Sequence, residues 1–224
     1  MFSDFFSQVG AFDTIRVTLL MSFFSTAIAS AIGISLGLLL EQHSFPGKKI
    51  VVRINRTMMG VPPVVVGLVT YMLLMRKGPL GFLGWLFTVQ GMVLAQIIII
   101  TPIICGIVYT SAASIAPAIR VFAKSMGADR RQTRLLTMSE MRSEIYFAIV
   151  TGFGRSISEV GAVLLVGGNI KNMTRTMTTA IATLQSAGVF KDGVMLGAIL
   201  LVMAFIVMVV ADRVRKEDVY DENF

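Results

Sequence analysis

Charge is what this chain of 224 residues has least of: Asp, Glu, Lys and Arg make up 15% of it, against about a quarter in an ordinary soluble domain. It also has only one cysteine (Cys105), one histidine (His43) and one tryptophan (Trp85). A lone cysteine within an apolar run excludes an internal disulfide framework or a cysteine-based metal site, and reads as a small buried side chain. The one histidine lies in a polar loop, far along the chain from Ser156, so a Ser-His triad is excluded, and no His-Glu-x-x-His is present. Gly47-Lys48-Lys49 lacks the upstream glycine and the following Ser or Thr of a phosphate-binding loop, so the chain is not expected to hydrolyse ATP or to act as an enzyme. No charged region precedes the first apolar residues, and the expectation is that there is no cleaved signal peptide. Phe2, Phe5, Phe6 and Val9 read instead as a short interfacial helix.

What is abundant is apolar: 55% of the residues are hydrophobic and the mean hydropathy is +0.78, the composition of an all-α integral membrane protein. The net charge of +7 is dispersed between apolar runs, which argues against nucleic-acid binding and for topology signals. Five runs are long enough to span: Thr14 to Leu40, about Thr57 to Met75, Gly91 to Ala112, Ile145 to Val166 and Val194 to Val210. In the first, Ala29, Gly33 and Gly37 set small residues four apart, which allows close backbone approach. A polar loop, EQHSFPGKK, follows it, and Pro62 and Pro63 bend or delay the second span. Residues 76–88 read as an interfacial re-entry carrying Phe82, Trp85 and Phe87, and Pro102 as a kink. The stretch from Gly167 to Asp192 is too polar to cross lipid, with a short half-buried helix from Met177 to Leu184. The fifteen methionines, Met72 and Met75 among them, are dispersed and read as packing residues.

Five spans put the termini on opposite sides, and the basic residues orient them. Loop 41–56, the central stretch and the C-terminal tail together hold thirteen Lys and Arg, whereas the opposite loops hold six. The N-terminus is therefore expected outside and the C-terminus in the cytoplasm.

The longest polar interruption, Pro117 to Arg134, then faces the cytoplasm. Pro117 suits a first helical position and Gly127 a left-handed terminator, predicting a separate helix of about ten residues. Ile119, Phe122, Ala123 and Met126 recur at helical spacing on one face, with Arg120, Lys124 and Ser125 on the other. Two occupants fit that apolar face, a groove on a partner protein or a lipid surface with the basic residues on anionic headgroups.

A second charged feature lies within the fourth span. Arg155 and Glu159, four apart and near mid-membrane, cannot face lipid, where each costs about 2.5–3.5 kcal/mol. They either hold helices together as a pair or line a pathway, and Ser156 and Ser158 add hydroxyls beside them. Gly168 and Asn169 then break the chain, and Thr174, Thr176, Thr178 and Thr179 offer hydroxyls toward an external mouth. Hydroxyls and backbone N–H groups suit a tetrahedral dianion that has to be released again. An ion-coupled secondary transporter is the competing class, but no inverted repeat is evident.

With those residues in view, the chain resembles the permease subunits of type I ABC importers: five spans, an external N-terminus, and a cytoplasmic helix–glycine element between spans three and four. The family's loop reads Glu-Ala-Ala, three residues, Gly, and later Leu-Pro; aligned on Gly127, this chain has Val121-Phe122-Ala123 and, near the Leu-Pro position, Ser139-Glu140-Met141-Arg142. The stretch Phe153 to Ile181 resembles oxyanion permeases, and its Glu159-Val160-Gly161-Ala162, Gly167-Gly168-Asn169-Ile170 and Thr178-Thr179-Ala180-Ile181 look most like tungstate-transport permeases, ahead of those for molybdate or sulfate.

The resemblance implies residues 1–13 as an external segment, 14–212 as the transmembrane domain with a coupling stretch at 113–142, and 213–224 as a cytoplasmic tail. It implies an ATPase contact through Ile119, Phe122, Ala123, Lys124, Met126, Gly127, Ala128, Asp129 and Arg130. The implied pathway takes in Arg155, Ser156, Ser158, Glu159, Gly168, Asn169 and Thr178. It further implies a second copy of the chain, separate ATPase subunits that carry ATP and Mg²⁺, an external oxyanion-binding protein, membrane lipid around it, and no cofactor or metal in this chain.

Overall fold

A computed structural model describes residues 10–220. The interfacial helix expected from Phe2 to Val9 lies outside the described residues, as do the last four of the tail. Among the described residues all regular structure is helical. In chain order the helices are α1 (Ala11–Gln42), α2 (Lys48–Met59), α3 (Pro63–Leu74), a single 3-10 turn (Gly81–Leu83), α4 (Val89–Ser125), α5 (Arg130–Glu140), α6 (Arg142–Ile157), α7 (Gly161–Gly167), α8 (Met177–Ser186) and α9 (Phe190–Tyr220).

Three of these are long and apolar enough to cross a bilayer on their own: α1, α4 and α9. The other two expected spans are bent pairs, α2 with α3 at 103° and α6 with α7 at 58°. The second span is therefore not one helix over 57–75. Gly60 to Pro62 interrupts it and Pro63 takes the first helical position, where its missing N–H costs nothing. The polar loop is also shorter than expected, because α2 begins at Lys48. The fourth span, expected as continuous over 145–166, is broken at Ser158 to Val160.

The core is the α1–α4 pair, running parallel in close register. Ala29, Ile100, Ile104 and Val108 are fully buried between them. A Cβ placed on Gly33 would lie 2.9 Å from that of Ile104 and 3.0 Å from the Thr101 carbonyl oxygen; on Gly37 it would lie 3.0 Å from the Cys105 carbonyl oxygen. The small-residue face is thus the surface on which α4 rests, with Cys105 buried beside it. Gly33→Leu is expected to push the helices apart and destabilise the protein by about 1–3 kcal/mol or more, since backbone cannot yield as a side-chain tip does. Thermal unfolding of the purified protein checks this, with Gly154→Ala as the comparison: its Cβ would meet only the Met208 methyl, at 3.6 Å.

At 37 residues α4 is about 55 Å long, well beyond the roughly 30 Å of hydrocarbon. The separate helix expected from Pro117 does not exist. Pro117 lies inside α4, which runs unbroken through it and through Pro102 to Ser125. The alanines around it, at 112, 113, 116 and 118, have the highest helix propensity and little bulk, which offsets the lost N–H.

Candidate functional site

Where α6 stops, three helix ends meet at one residue. Glu159 sits in the break, 3% exposed. Its Oε2 pairs with the Arg155 guanidinium at 2.9 Å, and its Oε1 accepts the Ala162 N–H at 3.1 Å in the first turn of α7. Its backbone oxygen accepts the Thr178 hydroxyl at 2.7 Å, from the first turn of α8. The carboxylate therefore lies against a guanidinium and the first turn of α7, while the backbone oxygen of the same residue meets the first turn of α8. Leaving Gly161 and Ala162 helical requires a turn that tolerates close packing: a Cβ on Gly67 of α3 would come within 2.6 Å of the Ala162 Cα.

The surrounding bundle closes this knot with polar groups. Ser156, fully buried, shares a hydrogen bond with Ser25 of α1 at 3.0 Å, and Gln96 of α4 donates to the Ser156 carbonyl at 3.4 Å. Thr18 of α1 accepts the Met177 N–H at 2.9 Å, at the start of α8. Thr18, Ser25 and Gln96 were not picked out from the sequence. The signal was present for α1, where Thr14, Thr18, Ser22, Ser25 and Ser30 repeat at helical spacing in an otherwise apolar run, a polar seam turned inward.

Not every expected pathway residue joins the knot. Ser158 is exposed and donates to the Gly154 carbonyl. Gly168 and Asn169 lie at the far end of α7, about 10 Å along its axis. Gly168 adopts φ 69 and caps the helix, while the Asn169 amide donates to Thr183 at 2.7 Å and its carbonyl accepts from Arg175 at 3.2 Å. The threonines differ from expectation more sharply. Thr174, Thr176, Thr178 and Thr179 are all buried, and their hydroxyls bond within the chain: Thr174 to Gly167, Thr178 to Glu159, and Thr176 with Thr179 in a reciprocal cap of α8. They do not open onto an external mouth. Arg155 stays partly accessible, with its side chain 33% exposed.

The central stretch forms a second cluster. Gly127 takes φ 72 with open space around it, so α4 ends there by a left-handed turn. Asp129 then accepts the Gln132 N–H at 2.7 Å while the Gln132 side chain accepts the Asp129 N–H at 2.8 Å, a capping box that starts α5. The apolar face expected here is rearranged. Ala123 is buried within the chain and Ile119 is half-buried, whereas Val121, Phe122 and Met126 are 73%, 58% and 71% exposed. Leu135 and Met138 of α5 are exposed as well. Lys124, Asp129 and Arg130 are exposed around the turn and Ala128 is half-buried. Arg120 pairs with Glu41, tying this end of α4 to the end of α1.

The protruding α4–Gly127–α5 hairpin and the intramembrane knot are the two features that a transport role would use. A family model described as the inner membrane component of binding-protein-dependent transport systems matches residues 13–216. The tungstate uptake system permease protein TupB of Peptoclostridium acidaminophilum is 37% identical over 203 residues, covering 91% of this chain and 89% of that protein. A probable anion ABC transporter permease of Haloferax volcanii is 38% identical, covering 89% and 88%. Among solved structures, that of a bacterial ABC transporter involved in importing the acidic polysaccharide alginate matches with a TM-score of 0.74 at 21% identity, over 92% of this chain and 79% of the other.

Proposed function

Since the chain belongs to the family of binding-protein-dependent transport system inner membrane components, we propose that it is the permease of an ABC importer for an oxyanion, tungstate before molybdate or sulfate. The observation that carries the anion is the identity of 37% over nine-tenths of the chain to a tungstate uptake permease, supported by a second such protein from Campylobacter jejuni at 32% over 96% of this chain. In this reading two copies of the chain enclose the pathway, an external binding protein delivers the anion, and two ATPase subunits hold ATP and Mg²⁺. The chain itself is the converter: motion received at the exposed Val121, Phe122 and Met126 passes along α4 to the α1 and α6 helices packed on it. The Arg155 guanidinium, held by Glu159 yet partly exposed, offers a moving anion a cation whose charge is already half spent. That suits passage better than capture.

Uptake assays with the neighbouring binding protein test the assignment. Tungstate is expected to be accumulated in competition with excess sulfate; preferential sulfate uptake would overturn the choice of anion while leaving the permease role intact. The same reading places the N-terminus outside and the C-terminus in the cytoplasm, from the thirteen-to-six distribution of basic residues. Membrane-impermeant thiol labelling in intact cells should then modify a cysteine introduced at Asp4 and spare one at Tyr220, in a chain from which Cys105 has been removed.

A further inference from the structure

Helix α2 takes no part in the functions above, yet its twelve residues carry three separate faces. One rests on α4: the Asn55 amide donates to the Pro102 carbonyl at 3.1 Å, and Met59 lies against Gly106. A second is apolar and open, with Ile50, Val51 and Ile54 exposed by 63%, 41% and 58%. The third is basic. Lys48, Lys49, Arg53 and Arg56, with Val52 and Tyr109, line a cavity of about 430 Å³. Lys48 donates to the Glu41 carbonyl and sits 5.7 Å from the centre of the Tyr109 ring. Among the described residues no carboxylate pairs with Lys49, Arg53 or Arg56.

Three cations around one cavity repel each other unless an anion lies among them. The adjoining apolar face needs a non-aqueous neighbour. The bend supplies one: α3 carries no charged residue and is mostly aliphatic, and at 103° from it α2 lies close to the bilayer plane when α3 crosses near the normal. An in-plane helix with basic residues on one side and Ile and Val on the other is the pattern of an interfacial anchor. A free anion would satisfy the basic face alone. A phospholipid with an anionic headgroup satisfies both, phosphate in the cavity and acyl chains along Ile50, Val51 and Ile54.

We propose that α2 is a specific site for an anionic phospholipid headgroup, holding the α2–α3 bend at the membrane surface. The site rests only on the chain being membrane-embedded and is independent of which anion is transported. The test uses full-length protein in nanodiscs of phosphatidylcholine with or without phosphatidylglycerol, together with mass spectrometry of lipid retained through detergent washing. Wild-type protein should melt higher with phosphatidylglycerol and should retain it in preference to phosphatidylcholine. Lys49→Gln/Arg53→Gln/Arg56→Gln should retain it about a hundred-fold less well, from three contacts at an anionic surface. Arg53→Lys/Arg56→Lys, which keeps the charge, should stay close to wild type and guards against a variant that fails to fold. Inorganic phosphate and tungstate at millimolar concentration in lipid-free detergent form the last arm. Stabilisation there equal to that by the lipid would replace the proposal with a soluble-anion site. Equal retention of neutral and anionic lipid by wild type, or undiminished retention by the triple variant, would overturn it.

Discussion

Glu159→Leu is expected to cost about 3 kcal/mol of stability and to abolish uptake. Removing one member of a buried ion pair leaves the other uncompensated, at roughly 3–5 kcal/mol; the lower end applies because Arg155 is a third exposed. The substitution also takes the acceptor from the Ala162 N–H in the first turn of α7. Glu159→Gln separates these losses, because its amide oxygen can still accept that N–H while the charge is gone. Thermal unfolding in detergent should place Gln between wild type and Leu. The double variant Arg155→Leu/Glu159→Leu removes both charges and should recover much of the stability, since a pair replaced by apolar residues is often neutral. Uptake decides the role of Arg155. If the guanidinium lines the pathway, the double variant folds and fails to transport; full uptake would reduce the pair to a structural contact.

The second large effect is expected at the α4–Gly127–α5 hairpin. Phe122→Asp should abolish ATP-driven uptake and lower co-purification of the ATPase by about 30-fold or more, because a charge in an apolar contact removes an aromatic anchor and adds a desolvation cost. The permease itself should fold normally, as Phe122 is 58% exposed in the isolated chain. Ala123→Asp should do the opposite. It places a carboxylate at a position 1% exposed within the chain's own packing, so the loss should appear in the stability of the permease. The Cβ of Gly127→Val meets no atom within 4 Å, yet the residue has to hold φ 72, at about 1–2 kcal/mol; its effect should fall on the angle between α4 and α5 and hence on coupling. If the hairpin instead lay on lipid, Lys124→Gln would matter more than Phe122→Asp, and ATPase recovery would be unchanged in both.

Much of this protein was legible before any coordinates. Composition and long continuous apolar runs dictate a helical membrane protein, because a helix pairs all the backbone groups of such a run within the run itself. Local chemistry also settled several details: Gly127 as a left-handed terminator, the bend at Pro62 and Pro63, the short helix from Met177, the glycine face of α1, and the i,i+4 pairing of Arg155 with Glu159. These depend on spacing within one turn or one helix.

Other features depended on partners distant in sequence. Pro117 favours a helix start over a helix interior, yet α4 runs through it, with Ala112, Ala116 and Ala123 buried and Arg120 tied to Glu41 of α1 on either side. Ala123 looked equivalent to Phe122 on a helical wheel, but packing buried the one and exposed the other. The threonines from 174 to 179 were read as donors for a ligand, and the fold spent them on helix ends. The break at Ser158 to Val160 has no proline or paired glycine to announce it. It becomes stable only because the Glu159 carboxylate and backbone meet α7 and α8 at once, and satisfying helix ends inside a membrane is a requirement that tertiary structure alone could meet.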